Sequence, residues 1–327
     1  MSNCLQTVAI PQETLLERFL RYVRIDTQAE SDVEPYPSTE KQKDLGRLLV
    51  DELKALGLSD AKMDQYGYVT ATFQGGRKAP AVGFIAHLDT SPEVSGANVK
   101  PAVHKNYQGG EIRFAGDPQL SLTLENCPSL ESALGQDVVT SDGTTLLGGD
   151  DKAGIAAIMT ALEVMKQAPE CYGPVRIAFT PDEEVGRGTE FFDVEGFGAR
   201  YAYTVDGGTA GELSDETFNA DTAIVTIGGI NIHPGKAKDV MVNAIQVLGD
   251  FLPLLPPELT PQATDGREGF IHPISVQGGV DKAVLKMILR DFDPEKLEAQ
   301  KRLLEQIVAQ VKAKHPRATI ELEIKHS

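Results

Sequence analysis

Three apolar runs of strand length each end in charge: AVGFIAHLDT (81–90) closes on His87 and Asp89, VRIAFTPDEE (175–184) on Glu183 and Glu184, and ARYAYTVDGG (199–208) on Asp206. Between them lie segments of helical periodicity. Apolar strands alternating with helices call for an α/β fold: a mixed, largely parallel sheet with helices on both faces. In open sheets of this kind ligands sit outside the carboxyl ends of the strands, so one crevice can collect all five polar side chains.

The helices are legible individually. ETLLERFLRYVRI (13–25) sets Leu15, Leu16, Phe19, Leu20 and Val23 at helical spacing. A second helix is expected from near Thr39, with Thr39 and Gln42 as a capping box and Leu45, Leu48, Leu49, Leu53 and Leu56 as its apolar face. GYVTATF (67–73) reads as a strand, and residues 91–119 as a looser, Gly- and Pro-containing stretch. LLGGDDKAGIA (146–156) then opens a helix carrying Ile155, Ile158, Met159, Leu162 and Met165.

Beyond about Glu216 the pattern changes. TAIVTIGG (222–229), AVLKMILRDFD (283–293) and TIELEIK (319–325) alternate apolar with polar, VMVNAIQVLGDFL (240–252) is helical, and residues 294–314 form a long amphipathic helix. Alternating strands keep one face polar, so a smaller α+β layer with one exposed sheet side is expected. The expected domains are therefore 1–215 and 216–327.

The net charge of −17 over 327 residues argues against a nucleic-acid-binding face or attraction to an anionic membrane. No apolar run approaches a membrane span, and the N-terminus lacks a basic segment followed by an apolar core. Cys4, Cys127 and Cys171 show no CxxC spacing, so neither a disulfide framework nor a thiolate zinc site is indicated. The cytoplasm is the expected compartment, and any metal must use oxygen and imidazole ligands.

Taken singly, each charged motif has an ordinary explanation: Asp150 and Asp151 as a helix-capping turn, Glu183 and Glu184 as a helix start, Asp206 before Gly207 and Gly208 as a turn. Together at the strand ends, four or five carboxylates repel by several kcal/mol in a partly dry site unless a cation compensates them. One imidazole with several carboxylates suits zinc, manganese or cobalt in a hydrolytic site, and Asp150 is the candidate bridge between two ions. A magnesium-dependent phosphatase would also be carboxylate-rich, but no phosphate-cradling glycine loop is present.

HLDT, LLGGDDKAGIA, FTPDEEVGRG, YTVDGG and NIHPGKAKDVMVNA, in that order, resemble the co-catalytic di-zinc exopeptidase family that includes carboxypeptidase G and the aminoacylases. Within it they are most similar to the tripeptide aminopeptidases, over about Leu15 to Ile324. The resemblance implies two zinc ions, with manganese or cobalt as substitutes, held by His87, Asp150 as the bridge, Glu184 and Asp206. It implies Asp89 as the carboxylate orienting His87, Glu183 as the general base, and a short peptide as substrate. The second domain becomes a lid with homodimer contacts, and His233 an oxyanion contact. Arg290, on the charged face of its strand with Lys286, is a candidate for holding a substrate carboxylate, with a solvated sheet face as the alternative. Members of that family also carry a return segment with a final histidine ligand. Because this chain stops at IELEIKHS, the resemblance implies that segment's absence, and a competing expectation is an inactive remnant that only binds or dimerises.

Overall fold

Helices α1 (Gln12–Tyr22) and α2 (Gln42–Ala55) form where leucines recur at helical spacing, and α3 (Gly149–Lys166) follows the twin aspartates. The computed structural model describes residues 11–208 and 211–326. Residues 1–10, with Cys4 and most of the stretch on which the leader reading rests, lie outside them. The chain divides into two compact units, 1–210 and 211–327, a few residues ahead of the expected boundary at 215/216.

The strands of the first unit are β1 (Lys62–Met63), β2 (Val69–Phe73), β3 (Val82–His87), β4 (Ala102–His104), β5 (Ile112–Arg113), β6 (Ser121–Leu122), β7 (Val138–Thr140), β8 (Val175–Thr180) and β9 (Tyr201–Thr204), with a short helix α4 (Val194–Phe197) before the last. Five of them make the main sheet in the order β1-β2-β8-β3-β9. β3 runs parallel to both β8 and β9, while β2 pairs antiparallel with β8 and β1. The sheet is thus mixed, with its parallel half carrying the charged strand ends.

Helices lie on both faces of this sheet, as expected, but unequally. Ala71, Ile177 and Phe84 are cross-strand neighbours on one face, and Val69 lies on the same side of β2 as Ala71. On that face Val69 meets α2 at Gly46, and Phe84 shares an apolar cavity with Ile158 and Leu162 of α3. α1 packs in turn on α3. The opposite face holds Arg176 and Gly83 under α4, where a Cβ at position 83 would come within 2.6 Å of the Phe197 ring. The three long helices therefore cover one face, and on the other the described residues place only α4. Ile155, Met159, Ile177 and Phe179 are fully buried in the resulting core, each stabilising the fold by about 1.5–3 kcal/mol.

Two local expectations also change. The stretch 91–119 is more ordered than its composition suggests: its strands β4 and β5 pair with β7 and β6, which follow it, around Tyr107, Ile112 and Leu130. No capping box forms, because the Gln42 side chain turns inward to Asp182 and α2 starts from Lys41 with no side-chain cap. Cys127 is free.

The second unit contains β10 (Asn219–Gly228), α5 (Ala244–Phe251), β11 (Phe270–Gly278), β12 (Lys282–Asp291), α6 (Pro294–Lys314) and β13 (Thr319–His326). Its antiparallel sheet runs β11-β12-β10-β13. Alternation puts Val225, Ile227, Leu285 and Met287 into a core with α5 and α6, and leaves Lys286, Glu321 and Glu323 exposed. This is the α+β layer expected from the pattern. Asn243 and Asp293 cap α5 and α6, and Pro294 occupies the first turn of α6. Among the described residues no helix is long and apolar enough to cross a membrane.

Candidate active site

Parallel pairing of β3 with β8 and β9 brings His87, the Glu183–Glu184 turn and Asp206 to one end of the sheet, and the start of α3 adds Asp150 and Asp151. His87 Nε2 lies 2.7 Å from Asp150 Oδ1, 3.9 Å from Glu183 Oε2 and 4.0 Å from Asp206 Oδ2. Its side chain is 2 % exposed, whereas those of Asp150 and Glu183 are 63 % and 52 % exposed. The imidazole forms the floor and the carboxylates the open wall.

Asp89, fully buried beneath the site, is arranged differently from the simple picture of a carboxylate behind a histidine. The His87 Nδ1 bond at 3.0 Å goes to the Asp89 backbone carbonyl, and the nearer carboxylate oxygen is 3.4 Å away. The two carboxylate oxygens instead accept the backbone N–H groups of Glu183 and Glu184, one each, both at 3.0 Å. Asp89 thereby fixes the turn that carries both glutamates.

Asp151, whose role the sequence left open, is 2 % exposed. Its carboxylate accepts the His87 N–H at 3.0 Å and the Gly154 N–H at 3.2 Å, stapling the end of β3 to the first turn of α3. Lys152 is equally buried and donates from Nζ to the Ile25 carbonyl at 2.8 Å. The doubled aspartate thus separates two jobs, an exposed carboxylate for the crevice and a buried one for the scaffold.

The crowding leaves an electrostatic signature. Burial would lower the His87 pKa, but the Asp89, Asp151 and Asp150 carboxylates outweigh it and push the ring up to about 10. Burial pushes Asp151 up to about 8, partly offset by His87. Glu183, Glu184 and Asp206 are all raised, by burial first and then by carboxylate neighbours including Asp150, with His87 opposing. Without counter-charge the cluster holds protons instead.

These residues fit divalent cations. Donor atoms of His87, Asp150 and Glu184 lie within 4.8 Å of one another, as do those of His87, Asp151 and Asp206. Oxygen with imidazole and no thiolate is a donor set for zinc, manganese or cobalt. Asp151 already spends its oxygens on two backbone N–H groups, which leaves Asp150, Glu184 and Asp206 as the available carboxylates.

The second unit holds the other two sequence candidates. His233 is exposed in a short turn, its Nδ1 accepting the Gly235 N–H at 3.1 Å. Arg290 stacks its guanidinium 3.8 Å from the Phe218 ring centroid and 5.4 Å from that of Phe270.

A curated relative, peptidase T of Geobacillus thermodenitrificans, is 48 % identical over 316 residues, 96 % of this chain and 77 % of the relative. The chain belongs to the peptidase T family. The peptidase dimerisation domain matches residues 215–319, within the second unit. The aminopeptidase PepT of Bacillus cereus superposes with a TM-score of 0.71 at 23 % identity, covering 97 % of this chain and 76 % of that one. A dinuclear metal-binding peptidase of Bacillus subtilis, of the M20 family, gives 0.54 at 13 % identity, over 96 % of this chain and 74 % of that one. The peptidase T fold is thus present in both units, and the chain spans about three quarters of the length of these relatives.

Proposed function

We propose that this chain is a metal-dependent aminopeptidase that removes the N-terminal residue of tripeptides, using two divalent cations, zinc by preference. The observation that carries this reading is the convergence of His87, Asp150, Glu183, Glu184 and Asp206 at one sheet end, with raised pKa values in the buried and half-buried members. The peptidase T relatives support the substrate class. His87, Asp150, Glu184 and Asp206 would hold the cations, Asp150 offering the more exposed carboxylate of the Asp150–Asp151 pair.

The cations, when bound, supply an activated water and polarise the scissile carbonyl. Glu183 takes the proton from the attacking water on its half-exposed carboxylate and delivers it to the leaving amine. Burial and the neighbouring carboxylates raise its pKa, which favours uptake of the proton from the water. Asp89 keeps Glu183 aimed by holding its backbone N–H. His233 is proposed as a donor to the developing oxyanion: its Nδ1 accepts the Gly235 N–H, which leaves the proton of the neutral ring on Nε2. The dimerisation-domain match supports a homodimer formed through the second unit, and the composition favours a cytoplasmic protein.

The test pairs metal content per chain with tripeptide hydrolysis after addition of zinc, manganese or cobalt. Two ions per chain and turnover that Glu183→Gln abolishes are expected. Turnover unaffected by Glu183→Gln, or by a chelator, overturns the mechanism.

A further inference from the structure

The turn bearing Glu183 and Glu184 is gripped from beneath by a polar clasp that the reaction does not use. Asp182, the residue before them, is fully buried and takes the left-handed backbone, φ 57°, which non-glycine residues rarely adopt. Its Oδ1 accepts from Ser38 Oγ at 2.5 Å and Gln42 Nε2 at 2.6 Å, and its Oδ2 from the Ser38 N–H at 2.6 Å. The exchange is reciprocal, because the Asp182 N–H donates to Gln42 Oε1 at 3.1 Å. Gln42 is itself fully buried at the start of α2.

Burying a carboxylate and a primary amide is costly unless their hydrogen bonds are made, so a turn closed this way carries a penalty that an exposed polar turn avoids. The clasp's effect is local. Three consecutive backbone N–H groups, those of Asp182, Glu183 and Glu184, are each held by a side chain, the first by Gln42 and the next two by Asp89. At the far end of the same turn, Arg187 Nη1 donates to the Val33 and Pro35 carbonyls at 3.1 and 2.9 Å, so the segment preceding α2 grips it from both ends. With the backbone pinned, the directions in which the two glutamates leave it are set.

We propose that Ser38, Gln42 and Asp182 are positioning residues that set the backbone from which Glu183 and Glu184 project into the crevice. The inference rests on the roles given above to those glutamates. Gln42→Glu places a carboxylate against Asp182, and Asp182→Asn places an amide NH₂ against that of Gln42, so each breaks the clasp. The double variant restores a donor facing an acceptor.

Three readouts apply to wild type, both single variants and the double, at a temperature where circular dichroism shows each folded: zinc affinity by calorimetry, kcat and KM on a tripeptide, and amide hydrogen exchange at Glu183 and Glu184. Each single variant is expected to weaken zinc binding by about 10- to 100-fold, the range found when partners behind metal ligands are lost. It is also expected to lower kcat more than KM and to speed exchange at both amides, with the double variant recovering all three. Single variants that melt earlier yet bind zinc, turn over and exchange as the wild type does overturn the proposal. Should they fail to fold, Ser38→Ala, which removes one donor of the clasp, carries the same expectations in weaker form. Failure of the wild type to bind zinc defeats the proposed function, while the exchange rates still decide the clasp.

Discussion

Replacing Gly154 by alanine tests whether the first turn of α3 is pressed against the strand that delivers Asp206. A Cβ at this position would lie 1.9 Å from the Val205 carbonyl oxygen and 2.3 Å from Asp151 Oδ1. A relaxed carbon–oxygen contact is about 3.3 Å, so the helix start has to retreat by roughly 1.4 Å from the end of β9. Overpacking of this kind costs about 1–3 kcal/mol. The Gly154 N–H, 3.2 Å from Asp151 Oδ1, leaves its acceptor, at a further cost of about 1–3 kcal/mol. Alanine's better helix propensity offsets roughly 1 kcal/mol of this, for a net loss near 3 kcal/mol. Gly149→Ala is the control: nothing lies within 4 Å of the added Cβ, so it is expected to stay within about 0.5 kcal/mol of the wild type. Urea unfolding followed by circular dichroism, with chelator present so that cation binding does not contribute, measures both. Because the retreat draws Asp151 from His87, the folded Gly154→Ala protein is also expected to lose zinc affinity. Equal stabilities for the two variants would show that the contact yields freely and refute the reasoning.

Stability of the cation-free protein is expected to fall as pH rises from about 5 to 8: His87 is raised from 6.5 to about 10 and Asp151 from 3.8 to about 8, so each contributes below its unfolded pKa and loses that contribution as pH climbs through the folded one. Lys152, lowered by burial from 10.5 to about 8, acts with the opposite sign but only above about pH 8. Thermal melts in chelator across that range check this, and zinc is expected to restore the melting temperature at the alkaline end while releasing protons; a flat profile in chelator contradicts it. Asp89→Asn leaves the Glu183 or Glu184 N–H facing an amide donor, and is expected to cost about 1–3 kcal/mol in denaturant titrations and to depress turnover. In the second unit, Asn243→Ala removes the cap on the Ile245 N–H of α5 and is expected to cost about 1 kcal/mol, measured in the same way.

The parts of the site that the sequence revealed share a property: each is a charged residue placed where an apolar strand stops. His87, Glu183, Glu184 and Asp206 stand out because polarity breaks abruptly there, and Asp150 because two carboxylates adjoin two glycines. Asp182 and Gln42 carry no such mark. Gln42 sits at a polar position of an amphipathic helix, where local pattern suggests a capping box, and only the packed structure turns it inward to Asp182. Asp151 likewise looks like a second copy of Asp150 until β3 offers it the His87 N–H.

By itself the sequence determined the long helices and the apolar strands that end in charge, the change to an α+β layer near residue 216, and the chemical type of the site, because hydrophobic periodicity and abrupt charge are local properties of a chain; the short strands β4 to β7 and strand β11 carried no such signal. Tertiary structure decided what depends on neighbours distant in sequence. It set β8 between β2 and β3, put the three long helices on one face, and gave Asp89 to the backbone of the glutamates rather than only to His87. A carboxylate's role follows from which donors reach its oxygens, and these include the His87 N–H, 64 residues away, for Asp151 and the Gln42 amide, 140 residues away, for Asp182.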